Sequence, residues 1–416
     1  MRTAVAISAA GHSALLLWGL VSFAVKPFDA APAESMPVDL VSITDFTQMM
    51  AGPYCTRWLA DLGAEVIKVE APEGDTMRKS QPMRDGCSSY YGHLNAGKRS
   101  IVLDLKLPQS IDAVLAIVAE CDVVVENFRP GVMDRLGLGF EALAGANPGL
   151  VFCSISGYGH EGPSASRPAF APMVHAASGY DLAHWSFQDG ADQPPNCGLH
   201  VADVLAACFA TMAIQAALLQ RSRTGLGQHL DVTLMESILS VMVYETQEAQ
   251  FPMPGRKPTY EPLKTTDGFV IIVANTDRNF EALCAATGHP EWRTDPRIAT
   301  TAGRRENWDV FNALLREWTR AQSAAACEDR LTRAGVPCSA YRTVREVMAD
   351  EHFRLRGTFA TVHDRAGAFL AQNLPFKMSG ASTLPGPRVA SLGEDTEAVL
   401  RQFAAHGQSA TSGASP

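Results

Sequence analysis

The sequence predicts an α/β protein in which a large domain on a parallel, doubly wound, Rossmann-like sheet is joined to a smaller α+β domain. Three observations predict it. From Val38 to about Pro163, short apolar runs alternate with helical stretches, as parallel strands do when crossover helices connect them. Pro252 to Pro262 is dense in proline and reads as a linker. Past the linker, one strand and three helices follow in a different rhythm. With 416 residues, 46% of them hydrophobic, the chain is long enough to fill two such cores.

In the first region Val38 to Ile43, Ala64 to Val69, Ser100 to Leu103, Val123 to Glu126 and Leu150 to Ser154 are the expected strands. Tyr54 to Leu62, Ser110 to Glu120 and Met133 to Leu143 are the helices between them. After the first strand stands Ala51-Gly-Pro-Tyr-Cys55 rather than G-x-G-x-x-G, so a dinucleotide is not indicated. Gly157 to Asn196 is rich in Gly, Pro, Ser and Asp and reads as a loop-bearing segment, the usual carrier of a binding site. Leu199 to Gln220 is an almost wholly apolar helix, stopped by the basic residues and glycine of Arg221 to Gly225. Gln228 to Thr233 follows as a strand and Leu234 to Gln250 as a helix. In the smaller domain Gly268 to Ala274 is a strand, and Arg278 to Thr287, Asn307 to Thr319 and Ala324 to Ala334 are helices.

Composition narrows the function. Lys and Arg number 35 against 44 Asp and Glu, a formal charge of −9, which leaves no basic excess for a nucleic-acid backbone. The nine cysteines are scattered, odd in number and never spaced C-x-x-C, which argues against a disulfide framework and against a zinc site. They read as reduced thiols of a cytoplasmic enzyme. Residues 1–35 read differently. Ala4 to Val25 is apolar enough to cross a bilayer, and residues 1–48 resemble the N-terminal anchor of TolA-type cell-envelope proteins. Such a segment would tie the protein to the inner membrane. The competing readings are a fusion or start-site artefact ahead of Met36, and a signal peptide ending near Ala30 or Ala33.

Six blocks, in order, carry a resemblance. They are A-G-P-Y-C-T-R-W-L-A-D-L-G-A-E-V-I-K-V-E (51–70), N-A-G-K-R-S-I-V-L-D-L-K (95–106), V-E-N-F-R-P-G-V-M-D-R-L-G-L-G (125–139), I-S-G-Y-G-H-E-G-P (155–163), T-G-L-G-Q-H-L-D-V-T-L-M-E-S (224–237) and A-G-V-P-C (334–338). Together they resemble the CaiB/BaiF family, the family III CoA-transferases, which also holds the α-methylacyl-CoA racemases. The resemblance implies an interlocked homodimer whose ring-like chains pass through each other. It also implies a large Rossmann-like domain built from both chain ends. On that division residues 36–251 and 361–405 belong to the large domain, 263–360 to the small one, and 406–416 form a flexible tail. The implied substrates are an acyl-CoA donor and a carboxylate acceptor, with no prosthetic group and no metal.

Asp203 is the first candidate for the chemistry. It sits at the start of an apolar helix, where a carboxylate is either a dipole-matching residue or a functional one. The resemblance assigns G-L-H-V-A-D203 to the family's catalytic aspartate. A carboxylate there can attack an acyl-CoA thioester, giving a mixed anhydride and then an aspartyl-CoA thioester. For the coenzyme, the family pattern implies contacts from Ala51, Leu103, Lys106, Asn127, Phe128, Arg129, Arg135 and Arg167. Lys106, Arg129 and Arg135 follow strand ends, where ligands of such sheets gather, and suit phosphates; each also reads as ordinary surface charge.

Two departures bear on the substrate. Oxalate- and formate-handling members carry Gln directly before A-G-P, where this chain has Met50. The racemases carry a His-Asp pair where this chain has Phe170-Ala171, which leaves only His175 nearby as a second acid/base group. CoA transfer is therefore the leading expectation. An isomerase of the same family and a non-catalytic envelope protein are the alternatives. His160, Asp181 and Glu236 are pocket candidates without an assigned role.

Overall fold

The computed structural model describes residues 41–188, 190–252 and 259–412. The apolar segment 4–25 and the beginning of the first expected strand lie outside these residues.

Six parallel strands form the central sheet: β1 (Ser42–Asp45), β2 (Glu65–Glu70), β3 (Arg99–Val102), β4 (Val123–Glu126), β5 (Val151–Ser156) and β6 (Gln228–Thr233). Their order is β3-β2-β1-β4-β5-β6. All residues of β4 and β5 are buried, as strands covered on both faces must be, and their Val, Phe and Ile run is the sequence expression of that. The order reverses at β1. Its neighbours β2 and β4 lead to connections on opposite sides, so the loops after β1 and β4 part and leave a crevice at the carboxyl ends of the strands.

Helices α1 (Ala51–Asp61), α2 (Ser89–Asn95), α3 (Pro108–Val118), α4 (Val132–Arg135), α5 (Phe140–Ala146), α6 (Val201–Thr224) and α7 (Thr396–Ser412) complete this part of the chain. Helix α6 packs against α1 and the β5–β6 edge, burying Ala202, Ala206, Ala210, Ile214 and Ala217. By length and composition α6 could cross a membrane; its small-residue stripe is the face that packs on α1, since Ala lets two helices approach closely. Helix α7 brings the chain end back onto α3 and β3, with Val399 and Phe403 in the sheet's apolar core.

Several sequence expectations change. Strand β1, Ser42–Asp45, runs past the end of the expected apolar stretch, its last residue Asp45 being buried against Lys98 and Thr56. The single helix expected over 133–143 is α4 and α5. Gly137 adopts φ +74 and ends α4 with Leu138 N–H donating to Met133 O, while a Cβ at Gly139 would collide with the Asp134 carboxylate. The helix expected over 234–250 is Leu234–Leu239 and Val243–Gln250, divided by a turn in which Met242 N–H donates to Leu239 O. The loop-bearing segment holds two short helices, Ala171–Ser178 and Tyr180–Trp185, separated by Gly179 at φ +90. Helix α7 runs on to Ser412, across residues 406–412 where a tail was expected.

The chain divides into two compact units. One takes the chain up to Ala171, Val201–Ser237 and the chain from Ala360 onward; the other takes Pro172–His200 and Ile238–Phe359. The second unit carries an antiparallel sheet of Cys338–Ala340, Phe269–Ile272 and Leu263–Lys264. Helices Asp277–Thr287, Trp308–Arg320 and Ala324–Arg333 cover it around Val270, Phe280, Phe311 and Trp318, an α+β arrangement.

Candidate active site

The β1–α1 loop, residues 46–50, opens the crevice, and most polar groups of its main chain have a named partner. Phe46 N–H donates to Val125 O at 2.9 Å, and Thr47 N–H to Asp45 Oδ1 at 2.9 Å. Lys68 Nζ donates to Thr47 O at 2.6 Å. Asn127 brackets Gln48, accepting its N–H and donating to its carbonyl. Met49 N–H points at Asp75 Oδ1, 3.4 Å away, and Met50 O accepts Tyr54 N–H at 2.9 Å. Met49 itself lies at φ +67, a left-handed conformation that costs a residue with a Cβ roughly 1–2 kcal/mol.

Buried charges brace this loop from behind. Lys98 donates to Asp45 Oδ2, Pro53 O, Thr56 Oγ1 and Asn95 Oδ1, all within 2.9 Å. Burial pulls the Lys98 ammonium down to about 8 despite Asp45. Burial pushes Asp45 up, but Lys98 and Lys68 outweigh it and hold its carboxyl below the ordinary value. Lys68 and Asp75 pair at 3.1 Å with side chains 1% and 0% exposed.

Asp203 lies in the first turn of α6, half-buried, where the aligned peptide dipoles favour a negative charge. It opens onto a cavity of about 220 Å³ whose wall also carries Gln48, Met49, Ala51, Asn127, Arg129 and Arg167. Among the described residues Asp203 is the one carboxylate on that wall, and Arg129 and Arg167 are its cations. The Arg167 guanidinium lies 5.5 Å from the centre of the Tyr158 ring. The Arg167 segment reaches the wall because Gly157, at the end of β5, has no side chain: a Cβ there would collide with Ala169.

Of the residues expected at a coenzyme site, the structure brings Ala51, Asn127, Phe128, Arg129, Arg167 and Asp203 to one cavity. Leu103, Lys106 and Arg135 are not on its wall. The Leu103 side chain is 8% exposed and belongs to the apolar core. Lys106 and Arg135 are exposed, and Arg135 Nη1 lies 3.3 Å from where a Gly131 Cβ would stand. Phe128 packs partly against the core beneath it, and its N–H donates to the buried Glu126 carboxylate at 2.8 Å. Burial pushes Glu126 up, and His160 Nε2 lies 3.8 Å from it. The Thr233 hydroxyl caps the helix Leu234–Leu239 by accepting Glu236 N–H, and it donates to the Glu236 carboxylate. His175 and Asp181 belong to the second unit, where His175 is 1% exposed with its ring 5.2 Å from that of Tyr180.

Tyr90 was not foreseen. Its hydroxyl donates to Met50 Sδ at 3.1 Å, and burial together with the charge of Asp203 pushes its phenol above the ordinary value. The pair Tyr90-Tyr91 in the sequence gives no sign of which ring turns to the site and which is core.

The comparisons with known proteins bear on this arrangement. A family model described as CoA-transferase family III matches residues 39–396. Among curated proteins, the succinyl-CoA–D-citramalate CoA-transferase of Chloroflexus aurantiacus is 36% identical over 356 residues, 82% of this chain and 88% of that protein. The acetyl-CoA:oxalate CoA-transferase of Acetobacter aceti is 35% identical over 382 residues, 89% of this chain and 96% of that protein. Among solved structures, a CaiB/BaiF family protein from Brucella suis matches with a TM-score of 0.79 at 33% identity, over 89% of this chain and all of that one (100%). The six sequence blocks, the parallel sheet and these matches agree: the chain is an enzyme and belongs to CoA-transferase family III.

Proposed function

We propose that the enzyme moves coenzyme A from an acyl-CoA to a free carboxylic acid through covalent adducts on Asp203. The observation that carries this is the placing of one carboxylate at a helix N-terminus, in a cavity wall whose other charges are Arg129 and Arg167. An Asp203 oxygen attacks the thioester carbonyl, and the C–S bond breaks to give an aspartyl acyl anhydride and CoA thiolate. The thiolate then attacks the Asp203 carbonyl carbon, forming the aspartyl-CoA thioester and releasing the first acid as its carboxylate. The acceptor carboxylate attacks that thioester, and the same two steps in reverse return Asp203 and the new acyl-CoA. Protons and electrons balance without any redox step.

The cavity is smaller than a whole coenzyme needs, which suits the acyl-thioester end, with exposed Lys106 and Arg135 left for the phosphates. We assign a short dicarboxylic acid as the acceptor. The named relatives act on citramalate or oxalate, and a third, at 33% identity, on succinate and glutarate. Arg129 and Arg167 supply cations for a second carboxylate. Phe170 and Ala171 offer no group to carry a proton, which favours transfer over racemisation. A homodimer and a cytoplasmic location, where acyl-CoA is found, complete the reading.

Acyl-CoA supplied without acceptor tests the reading. Succinyl-CoA or acetyl-CoA should leave a covalent adduct, which hydroxylamine converts to a hydroxamate at residue 203 on peptide mass mapping. An adduct on another carboxylate, or none, would overturn it.

A further inference from the structure

We infer that Lys68 and Asp75 form a clamp that holds the β1–α1 loop, with Met49 in its left-handed conformation, ready for coenzyme A, and that these two charged residues act as positioning residues without touching it. The inference rests on the reading of the Asp203 cavity as the CoA site. Its own evidence is separate.

Lys68 and Asp75 contribute nothing to the cavity wall, yet each grips the loop that forms one side of it. The Lys68 ammonium donates to Thr47 O at 2.6 Å, and the Asp75 Oδ1 faces Met49 N–H at 3.4 Å. The two side chains are themselves paired at 3.1 Å and almost wholly buried. Asp75 also caps the short helix Thr76–Lys79 by accepting Met77 N–H at 3.0 Å, which fixes the carboxylate independently of the loop. The two grips fall on either side of Gln48, and the residue they turn is Met49, whose φ of +67 is rarely adopted by a side chain larger than glycine. Between them, Asn127 holds both polar groups of Gln48. The helix side is fixed as well, because Thr47 packs so closely on Gly52 that a Cβ there would collide with it.

A buried ion pair and a strained residue are poor devices for stability, since apolar residues of the same volume in relaxed backbone do as well or better. They are good devices for fixing a loop that would otherwise have to be ordered when ligand arrives. Gln48, Met49 and Ala51 all line the cavity, so the conformation that the clamp imposes is part of the binding surface.

Two variants test the clamp. Met49→Gly accepts the left-handed backbone without strain and frees the loop to leave it. Lys68→Met with Asp75→Asn replaces both charges at similar volume and leaves no orphan charge. Binding of free CoA is read by calorimetry, the KM for acyl-CoA and kcat by steady-state kinetics, and the unfolding midpoint by calorimetric melting. The expected result is a Met49→Gly protein that melts no lower than wild type yet binds CoA about tenfold more weakly than Met49→Ala, which loses the same wall side chain but keeps a Cβ, with a matching rise in KM. The double variant should show the same split against wild type. CoA affinity and KM in Met49→Gly equal to those of Met49→Ala would overturn the clamp, as would a lower melting point accompanied by unchanged KM in the folded fraction. If the double variant fails to fold, Met49→Gly alone decides. A wild-type protein that does not bind CoA would instead sink the assignment of the cavity.

Discussion

Asn127 and Gln48 hold each other by a reciprocal pair of hydrogen bonds, the Asn127 amide oxygen accepting Gln48 N–H at 2.8 Å and its NH2 donating to Gln48 O at 2.8 Å. The loops after β1 and β4 are thereby locked across the crevice. Asn127 was expected as a direct coenzyme contact, and both ends of its amide are committed to the protein. Asn127→Asp keeps the acceptor for Gln48 N–H but turns a second oxygen towards Gln48 O, so it should be worse than Asn127→Ala. A loss of about 10- to 100-fold in kcat/KM is expected for Asp, corresponding to about 1–3 kcal/mol for an unsatisfied buried group. Steady-state kinetics of the two variants check the order.

Gly157 and Ala169 give a second prediction. Gly157→Ala forces the Ala169 methyl away and with it the segment from Arg167 to Phe170 on the cavity wall. Overpacking of this kind destabilises by about 1–3 kcal/mol, and activity should fall with it. Ala169→Gly in the same chain removes the collision and should restore both, as a double-mutant cycle in melting temperature and kcat/KM would reveal.

His93 makes the fold acid-sensitive. Burial, helped by Arg57, pulls its imidazole from 6.5 to about 4, with Nε2 3.4 Å from the Tyr54 hydroxyl. A histidine that titrates lower when folded takes up its proton more readily when unfolded, so acid favours unfolding between the two values. Its contribution is intact above pH 6.5 and is lost as the pH falls from there towards 4. That lowering corresponds to about 3 kcal/mol. Denaturant titrations across pH 4–7 should show that slope, and His93→Gln should flatten it.

How much of this was legible follows from which interactions are local. The Val-rich runs of β4 and β5 and the apolar α6 announce themselves, because a strand buried on both faces and a core helix have few polar residues. The first strand runs past its expected end at Ile43 because its last residues, Thr44 and Asp45, are polar. Asp45 is buried by Lys98, 53 positions away, and no local pattern reports that pairing. Helix α4 ends where Gly137 turns left-handed, and a periodic apolar pattern running past a glycine hides such an end. On the cavity wall, Arg129 falls in one of the six sequence blocks and Asp203 and Arg167 were expected from the family pattern outside them, whereas Tyr90 depends on how α2 folds against Met50. The Leu103 side chain turns into the apolar core, and a position after a strand says nothing of which way a side chain turns.

A protomer alone leaves apolar residues of α6 uncovered, with Met212 at 53% and Leu219 at 59% exposure. An obligate homodimer would cover such surface. Sedimentation should give about twice 44.6 kDa at micromolar concentration, and a stable active monomer would reject the interlocked arrangement.

The remaining prediction separates the charge of Asp203 from its position. Asp203→Asn keeps the size of the side chain and its place in the first turn of α6, but an amide is not a nucleophile towards a thioester. It should bind CoA as wild type does while losing several orders of magnitude in kcat and all adduct formation. Asp203→Glu keeps the carboxylate and moves it by one methylene. A displacement of that size costs about 100-fold where reacting atoms must align, so this variant should still form the hydroxylamine-sensitive adduct, slowly and at residue 203. If Asp203 served only to match the helix dipole, both variants would stay within about tenfold of wild type in rate and differ chiefly in melting temperature, Asn more than Glu. Rapid-quench measurement of the adduct with acyl-CoA alone, beside the melting curves of the three proteins, distinguishes the two patterns.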